Sequence, residues 1–148
     1  MKKSKFILAS DHAGYKLKEE IKKYLIEKGL PYTDLGTNSE TESVSYSEFG
    51  KKLGKYVHEN PNDYGIGICG TGLGMSYAVN RFKNVRGARI HSVEDAHLAK
   101  QHNNANVLIF GGRQQKIEDI KKMIDEFINT EFEKGRHLDR IKDLDDEI

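Results

Sequence analysis

Ile66-Gly67-Ile68-Cys69-Gly70-Thr71-Gly72-Leu73-Gly74-Met75 is the stretch whose reading decides the fold. A short apolar run ends in the chain's only cysteine, glycines follow at every second position, and a helical pattern then begins. Glycine accepts backbone dihedrals that side chains forbid, so this turn can aim several N–H groups into one small space. The helix that follows would add its positive N-terminal end. A thiol at the rim of such an anion cradle is in a setting that favours the thiolate and stabilises an oxyanion forming beside it.

Working outward, the same alternation of apolar run and helical stripe fills the chain. Phe6-Ile7-Leu8-Ala9 reads as a buried strand, and Leu17, Ile21, Tyr24 and Leu25 recur at helical spacing before Gly29, a helix stop. Pro31 to Gly36 is the second strand, Thr37 to Ser45 a polar loop, and Tyr46, Phe49, Leu53, Tyr56 and Val57 the next helical stripe. Asn60-Pro61-Asn62-Asp63 breaks that helix before the strand Gly65 to Cys69. A helix from about Gly74 to Phe82 and a weaker strand from Val85 to Ile90, interrupted by Arg86 and Arg89, come next. Ser92 and Asp95 form a capping pair for the helix Val93 to Lys100, and Gln101 to Asn106 is a very polar turn. Val107 to Phe110 is the last strand, followed by a helix with Ile117, Ile120, Ile124, Phe127 and Ile128 on one side. The charged tail 131–148 keeps Leu138, Ile141, Leu144 and Ile148 at amphipathic helical spacing.

Five strands separated by helices imply an α/β, doubly wound (Rossmann-like) three-layer sandwich with a five-stranded parallel sheet. Ligands in such folds bind beyond the carboxyl ends of the strands, at the switch in strand order. Ser10-Asp11-His12, Cys69-Gly70-Thr71 and Gly111-Gly112-Arg113 all fall at such ends.

The bulk numbers narrow the class. A chain of 148 residues suits one domain with a real core. The balance of 24 basic against 23 acidic residues argues against nucleic acid or an anionic membrane as an obligate partner. No apolar stretch approaches the ~20 residues of a membrane span, and Phe6 to Ala9 is too short for a signal-peptide core. One cysteine allows no internal disulfide and no CxxC site, so a reduced cytoplasmic protein is expected.

Each candidate residue has two readings. Cys69 could be a small buried hydrophobe, but the last residue of a strand beside three glycines favours chemistry. The glycine loop lacks the spacing of a dinucleotide fingerprint and follows the third strand, so a small phosphate or oxyanion suits it better. A Cys-x5-Arg phosphatase loop would need arginine where Met75 stands. Asp11 and His12 could cap the first helix or line a site, and His102 could be a helix-end histidine or a proton shuttle. His58, His91 and His97 have no ligand-like spacing, and no metal role is assigned. Arg136 and Arg140, at i and i+4 on one helix face, would form a fork for a phosphate monoester if they converge with Arg113.

Taken together, Asp11-His12-Ala13-Gly14, Cys69-Gly70-Thr71-Gly72-x-Gly74, Asn80, Arg86, His102-Asn103-x-Ala105-Asn106-Val107-Leu108, Gly111-x-Arg113 and Gly135-Arg136-His137-x-x-Arg140 resemble type B ribose-5-phosphate isomerases. The match spans nearly the whole chain in the family's order. Galactose-6-phosphate isomerase subunits look similar around the cysteine loop but generally lack the His-Asn pair kept here at His102-Asn103.

The resemblance implies interconversion of ribose 5-phosphate and ribulose 5-phosphate without metal or organic cofactor. It makes Cys69 the base that moves a proton between C2 and C1, with the backbone of Gly70, Thr71, Gly72, Leu73 and Gly74 and the Thr71 hydroxyl holding the enediolate oxygen. It gives ring opening to His102, helped by Asp11, phosphate binding to His12, Arg113, Arg136 and Arg140, and a sugar hydroxyl to Asn103. It also implies a homodimer or homotetramer with shared sites, the tail helix 131–148 packing on a partner subunit. Another branch of the family uses a glutamate six residues after the cysteine position; Met75 puts this chain in the cysteine branch. Ser45-Tyr46-Ser47 stands where Asp-Tyr-Pro is usual, the loop before it is one residue longer, and Asn104 replaces a common aspartate. These departures bear on which sugar is taken. The other readings are a hexose-6-phosphate isomerase, for allose or galactose 6-phosphate, and a non-catalytic sugar-phosphate sensor.

Overall fold

The period-two alternation of the strands sorts the hydrophobic side chains into two separate cores. In the computed structural model, which describes residues 4–146, the strands are Phe6–Ser10 (β1), Tyr32–Asp34 (β2), Tyr64–Cys69 (β3), Gly87–Arg89 (β4) and Val107–Gly111 (β5). All pairings are parallel and the order is β2-β1-β3-β5-β4. The helices are Tyr15–Glu27 (α1), Tyr46–Glu59 (α2), Leu73–Val79 (α3), Val93–Asn103 (α4), Ile117–Asn129 (α5) and His137–Asp145 (α6), with a 3-10 turn at His12–Gly14. The expected doubly wound parallel sheet is the one observed.

Phe6, Leu8, Ile66, Ile68, Leu108 and Phe110 point to one face, where they pack with α1, α4 and α5. Ile7, Ala9, Cys69, Val107 and Ile109 point to the other, under α2 and α3. Gly67 is required on that second face, because a Cβ there would lie 2.7 Å from Met75 Cγ. The close approach draws α3 down onto β3, and the same alternation turns Cys69 toward α3.

Local signals set most helix ends. Gly29, at φ +67, follows the end of α1, and the Leu30 N–H closes on Leu25 O at 2.9 Å. Ser92 Oγ accepts the Asp95 N–H at 3.0 Å, and Asp95 accepts the His91 N–H in return. Asn104, in the left-handed region at φ 46, ends α4.

Strands β2 and β4 are shorter than the expected runs Pro31 to Gly36 and Val85 to Ile90, and three helical segments also differ from the sequence reading. The α3 helix stops at Val79 because the Asn80 side chain donates to Ser76 O and Gly87 O and accepts the Gly87 N–H, diverting the chain into β4. The run Gln101 to Asn103 is the last turn of α4 rather than a loop. Among the described residues of the tail, His137–Asp145 alone are helical. Residues 131–136 leave the helix because Lys134 and Gly135 both adopt positive φ and the Glu133 N–H is taken by Gln101 O. Ile148 of the expected stripe lies outside the described residues.

Lys18 has no exposed surface and binds Asp34, at the end of β2, at 2.6 Å; Lys22 reaches the same carboxylate oxygen at 2.9 Å. Burial pushes the Asp34 carboxyl up, but the Lys18 and Lys22 ammonium groups and the Gly36 N–H together hold it below the ordinary carboxylate range. The stabilisation from a depressed carboxylate is fully present above the unfolded value and is lost as pH falls through the folded one. Asp34→Asn would leave buried Lys18 with only the more distant Glu19 carboxylate, at 3.4 Å, as a charged partner and cost about 2–3 kcal/mol at neutral pH. In urea melts the gap between parent and variant should close as the pH is lowered below 3.8, the ordinary value of the group.

Candidate active site

The strand order reverses between β1 and β3, and the candidate residues after those strands meet there. The Asp11 N–H donates to Ile68 O at 3.2 Å, so the two strand ends are tied together. Asp11 is buried, and its Oδ1 accepts the Gly14 N–H at 3.1 Å, capping the 3-10 turn. The capping role is real and uses one oxygen; among the described residues the other has no hydrogen-bond partner. Half-buried His12, on the same turn, meets the backbone of Val44 through Nδ1, at 3.1 Å from N and 3.2 Å from O. The polar loop before α2 is thereby docked onto His12.

Cys69 is buried, with the Gly72 N–H donating to its Sγ at 3.2 Å. Gly72 can aim that N–H only because it sits at φ +87. Cys69 O accepts the Gly112 N–H at 2.7 Å and Gly70 O accepts the Arg113 N–H at 3.0 Å, so the loop after β5 is stitched beneath the cysteine loop. The Arg113 guanidinium lies over Gly70, where an added Cβ would be 3.1 Å from Nη1. Thr71 Oγ1 accepts the Leu73 N–H at 3.2 Å. Among the described residues the N–H groups of Gly74 and Met75, in the first turn of α3, have no protein acceptor. One chain therefore brings Asp11, His12, Cys69, Gly70, Thr71, Gly72, Leu73, Gly74 and Arg113 to the carboxyl end of the sheet.

The remaining candidates gather at the opposite end. Helix α4 runs back against the strands, so His102 and Asn103 arrive where β5 begins; Arg86 Nε, just before β4, donates to Asn103 O and Asn104 O at 3.1 Å each. The chain after α5 crosses this same turn, stacking His137 on His102 at a centroid separation of 4.7 Å. Arg136 and Arg140 are exposed at and just inside the start of α6. Strand β5 runs between the two groups, and at about 3.3 Å per residue its length alone keeps them roughly 13 Å apart. Within one chain Arg113 does not converge with Arg136 and Arg140, and His102 does not meet Asp11.

Two residues were missed as contributors to the cradle. Arg89 Nε donates to Thr71 O at 2.9 Å, and its Nη2 to Gln114 Oε1 at 3.1 Å, bracing the cysteine loop from β4. An arginine inside an apolar strand was the available signal. The ring of Tyr46, at the start of α2, lies directly on the Cα of Gly74. Nothing in its spacing separates it from an ordinary helix-face aromatic. Among the described residues, His102, Glu133 and His137 have donor atoms within 4.8 Å of one another, the reach of a metal site. Arg136 Nε, 3.3 Å from His137 Nε2, already places a fixed cation there, which disfavours a metal ion.

A doubly wound sheet with a thiol in its switch-point crevice is, by architecture, a small-molecule-binding α/β protein. Comparison with known proteins narrows this class. The family model described as Ribose/Galactose Isomerase matches residues 6–144, and the chain belongs to that family. It is 38% identical over 138 residues to ribose-5-phosphate isomerase B of Escherichia coli, covering 93% of this chain and 92% of that one. It is 41% identical over 144 residues to a putative sugar phosphate isomerase of Rickettsia conorii, covering 97% and 99%. Among solved structures, a ribose 5-phosphate isomerase from Thermotoga maritima superposes with a TM-score of 0.92 at 45% identity, over 96% of this chain and 97% of that one. A ribose-5-phosphate isomerase B from Mycoplasma genitalium with bound ribulose-5-phosphate gives 0.90 at 38%, over 95% and 93%. No helix among the described residues is long and apolar enough to cross a membrane.

Gly72→Ala should cost about 1–2 kcal/mol of stability, because a side chain is strained in the left-handed region. It should also swing the N–H off Sγ. The expected result is a modest fall in melting temperature with a much larger loss of substrate turnover; a variant equally stable and equally active would show that the positive φ is not needed.

Proposed function

We propose that this protein is an aldose–ketose isomerase that interconverts ribose 5-phosphate and ribulose 5-phosphate, a step of pentose phosphate metabolism. The observation that carries this reading is the buried Cys69 thiol at the β1–β3 switch point, with a backbone N–H aimed at its sulfur. The names of the relatives supply the substrate. In this reading the Cys69 thiolate takes the proton from C2 of the open-chain aldose and returns it to C1. The hydroxyl proton on O2 ends on O1 as the carbonyl moves from C1 to C2. Between the two transfers the enediolate oxygen lies against the N–H groups of the cradle Gly70 to Gly74 and the Thr71 hydroxyl. Thiol and imidazole are both competent proton carriers near neutral pH. His102, helped by Asp11, opens the furanose by protonating the ring oxygen. His12, Arg113, Arg136 and Arg140 hold the phosphate, and Asn103 a sugar hydroxyl. These roles call on no metal and no organic cofactor, and the free thiol suits the reducing cytoplasm.

The two groups of residues occupy opposite ends of one sheet, so a working site takes its Cys69 half from one subunit and its His102–Arg136–Arg140 half from another. A two-fold homodimer, alone or paired into a tetramer, supplies both sites at once. Exposed Leu138 and Leu144 on α6, and Leu73 and Tyr77 on α3, are apolar surface available at the two ends for such a contact. The region 131–148 then packs on the partner.

The deciding assay measures ketose formation from ribose 5-phosphate, with allose 6-phosphate and galactose 6-phosphate alongside. The altered loop before α2 touches His12 through Val44, which is why the hexose phosphates belong in the panel. Ketose from a hexose phosphate alone would give the hexose reading; binding without any ketose would make the protein a sensor. Cys69→Ala should abolish isomerisation while phosphate-ligand affinity stays within a few-fold, because the thiol acts on carbon.

Mixing Cys69→Ala with Arg136→Ala protomers tests the shared site. In a mixed dimer one site collects both defects and the other is intact, so random exchange should restore about a quarter of the parental activity. Verified exchange without recovery would show that each site is built from a single chain.

A further inference from the structure

His137 belongs to neither the thiol chemistry nor the phosphate grip, yet it is buried, with a relative exposure of 7%. Its ring lies under that of His102, the planes inclined by only 17°. Its Nε2 is 3.1 Å from Glu133 Oε2, and the same carboxylate oxygen is 3.9 Å from His102 Nε2. One carboxylate oxygen therefore sits at the edges of two stacked imidazoles. Glu133 is itself pinned by its backbone, whose N–H donates at 2.9 Å to the carbonyl of Gln101, the residue before His102. The positive φ of Lys134 and Gly135 then returns the chain so that His137 lands on His102.

We propose that Glu133 and His137 are positioning residues for His102, the stack fixing the plane of its imidazole and the Glu133 carboxylate selecting which ring nitrogen carries the proton. This rests on the reading of His102 as the ring-opening residue. To give a proton to a ring oxygen from one nitrogen while the other faces a carboxylate, His102 acts as the imidazolium: the outer nitrogen loses its proton to the ring oxygen and is left bare, and the proton that remains stays on the nitrogen facing Glu133. Glu133 is the carboxylate at hand, facing His102 Nε2 across 3.9 Å as a charge rather than through a direct hydrogen bond. His137 supplies the flat surface that keeps His102 from rotating away, and its Nε2 also meets Arg136 Nε at 3.3 Å. The stack thus ties the placement of the proton donor to that of one proposed phosphate ligand.

The test uses Glu133→Gln, which keeps the shape and removes the charge, and His137→Phe, which keeps a stacking ring and removes the nitrogens. Each is made in the parent and in His102→Asn, and both ribose 5-phosphate turnover and hydrogen exchange at C1 of ribulose 5-phosphate are measured. Ribulose 5-phosphate cannot close to a furanose, so its exchange does not need ring opening. Glu133→Gln should lower kcat for ribose 5-phosphate roughly tenfold, with KM and C1 exchange changed by less than about threefold. His137→Phe should keep most of the stack and show a smaller loss of the same kind. In the His102→Asn background neither substitution should cost anything further, because both act through His102. Equal losses in turnover and exchange, additivity with His102→Asn, or no loss at all would each overturn the proposal. Nitrogen-15 resonances of the His102 imidazole, which separate a protonated from a bare ring nitrogen, should change pattern in Glu133→Gln; an unchanged pattern also overturns it. That readout needs no turnover, so a parental protein inactive on ribose 5-phosphate would refute the functional reading without deciding this one.

Discussion

The alternation of side chains along Tyr64–Cys69 governs the rest of the molecule. Gly65, Gly67 and Cys69 share one face of β3, and Ile66 and Ile68 the other. The bare face lets α2 and α3 come close: a Cβ on Gly65 would meet Leu53, Val57 and Val107, and one on Gly67 would meet Met75 and Leu53. That close packing sets the height at which α3 starts, and hence the shape of the loop joining it to β3. Moving the pairing by one residue would bury the glycine face against α1 and turn the thiol away from the loop.

The loop is held from three sides. From the loop after β5 come the N–H groups of Gly112 and Arg113, from β4 the guanidinium of Arg89, and from α2 the ring of Tyr46. Each contact fixes backbone rather than the thiol itself. The result is a cradle whose donors are oriented before any ligand arrives, which is the condition under which backbone dipoles stabilise a developing charge.

A parallel sheet imposes a polarity that a single chain cannot escape. Residues that follow strands collect at the carboxyl end, and residues that follow helices collect at the amino end. His102 and Asn103 end α4, and Arg136 and Arg140 lie in the segment that follows α5, so they are separated from Cys69 by the length of the strands. Arg86 holds this second group together by gripping Asn103 O, Asn104 O and Asp145 at once. Opposite placement and local rigidity are what a site assembled between subunits would require of each of its halves.

Hydrophobic period was enough to read five strands, their parallel arrangement and the switch-point position of Cys69, because alternation and helical spacing are local properties of the chain. Gly29 and Ser92 marked helix ends for the same reason. The early end of α3 was not legible, since it depends on Asn80 reaching Gly87, a residue brought close only by the crossover into β4. Nor was the break at 131–136, which depends on Gln101, thirty-two positions before Glu133 in the chain, taking the Glu133 N–H. The amino acids themselves determined which groups are able to do chemistry: a lone thiol among glycines, a His-Asn pair, paired arginines. Only the tertiary structure decided which of them share an end of the sheet, because the direction of each strand and the contacts between distant segments, rather than spacing along the chain, set that placement.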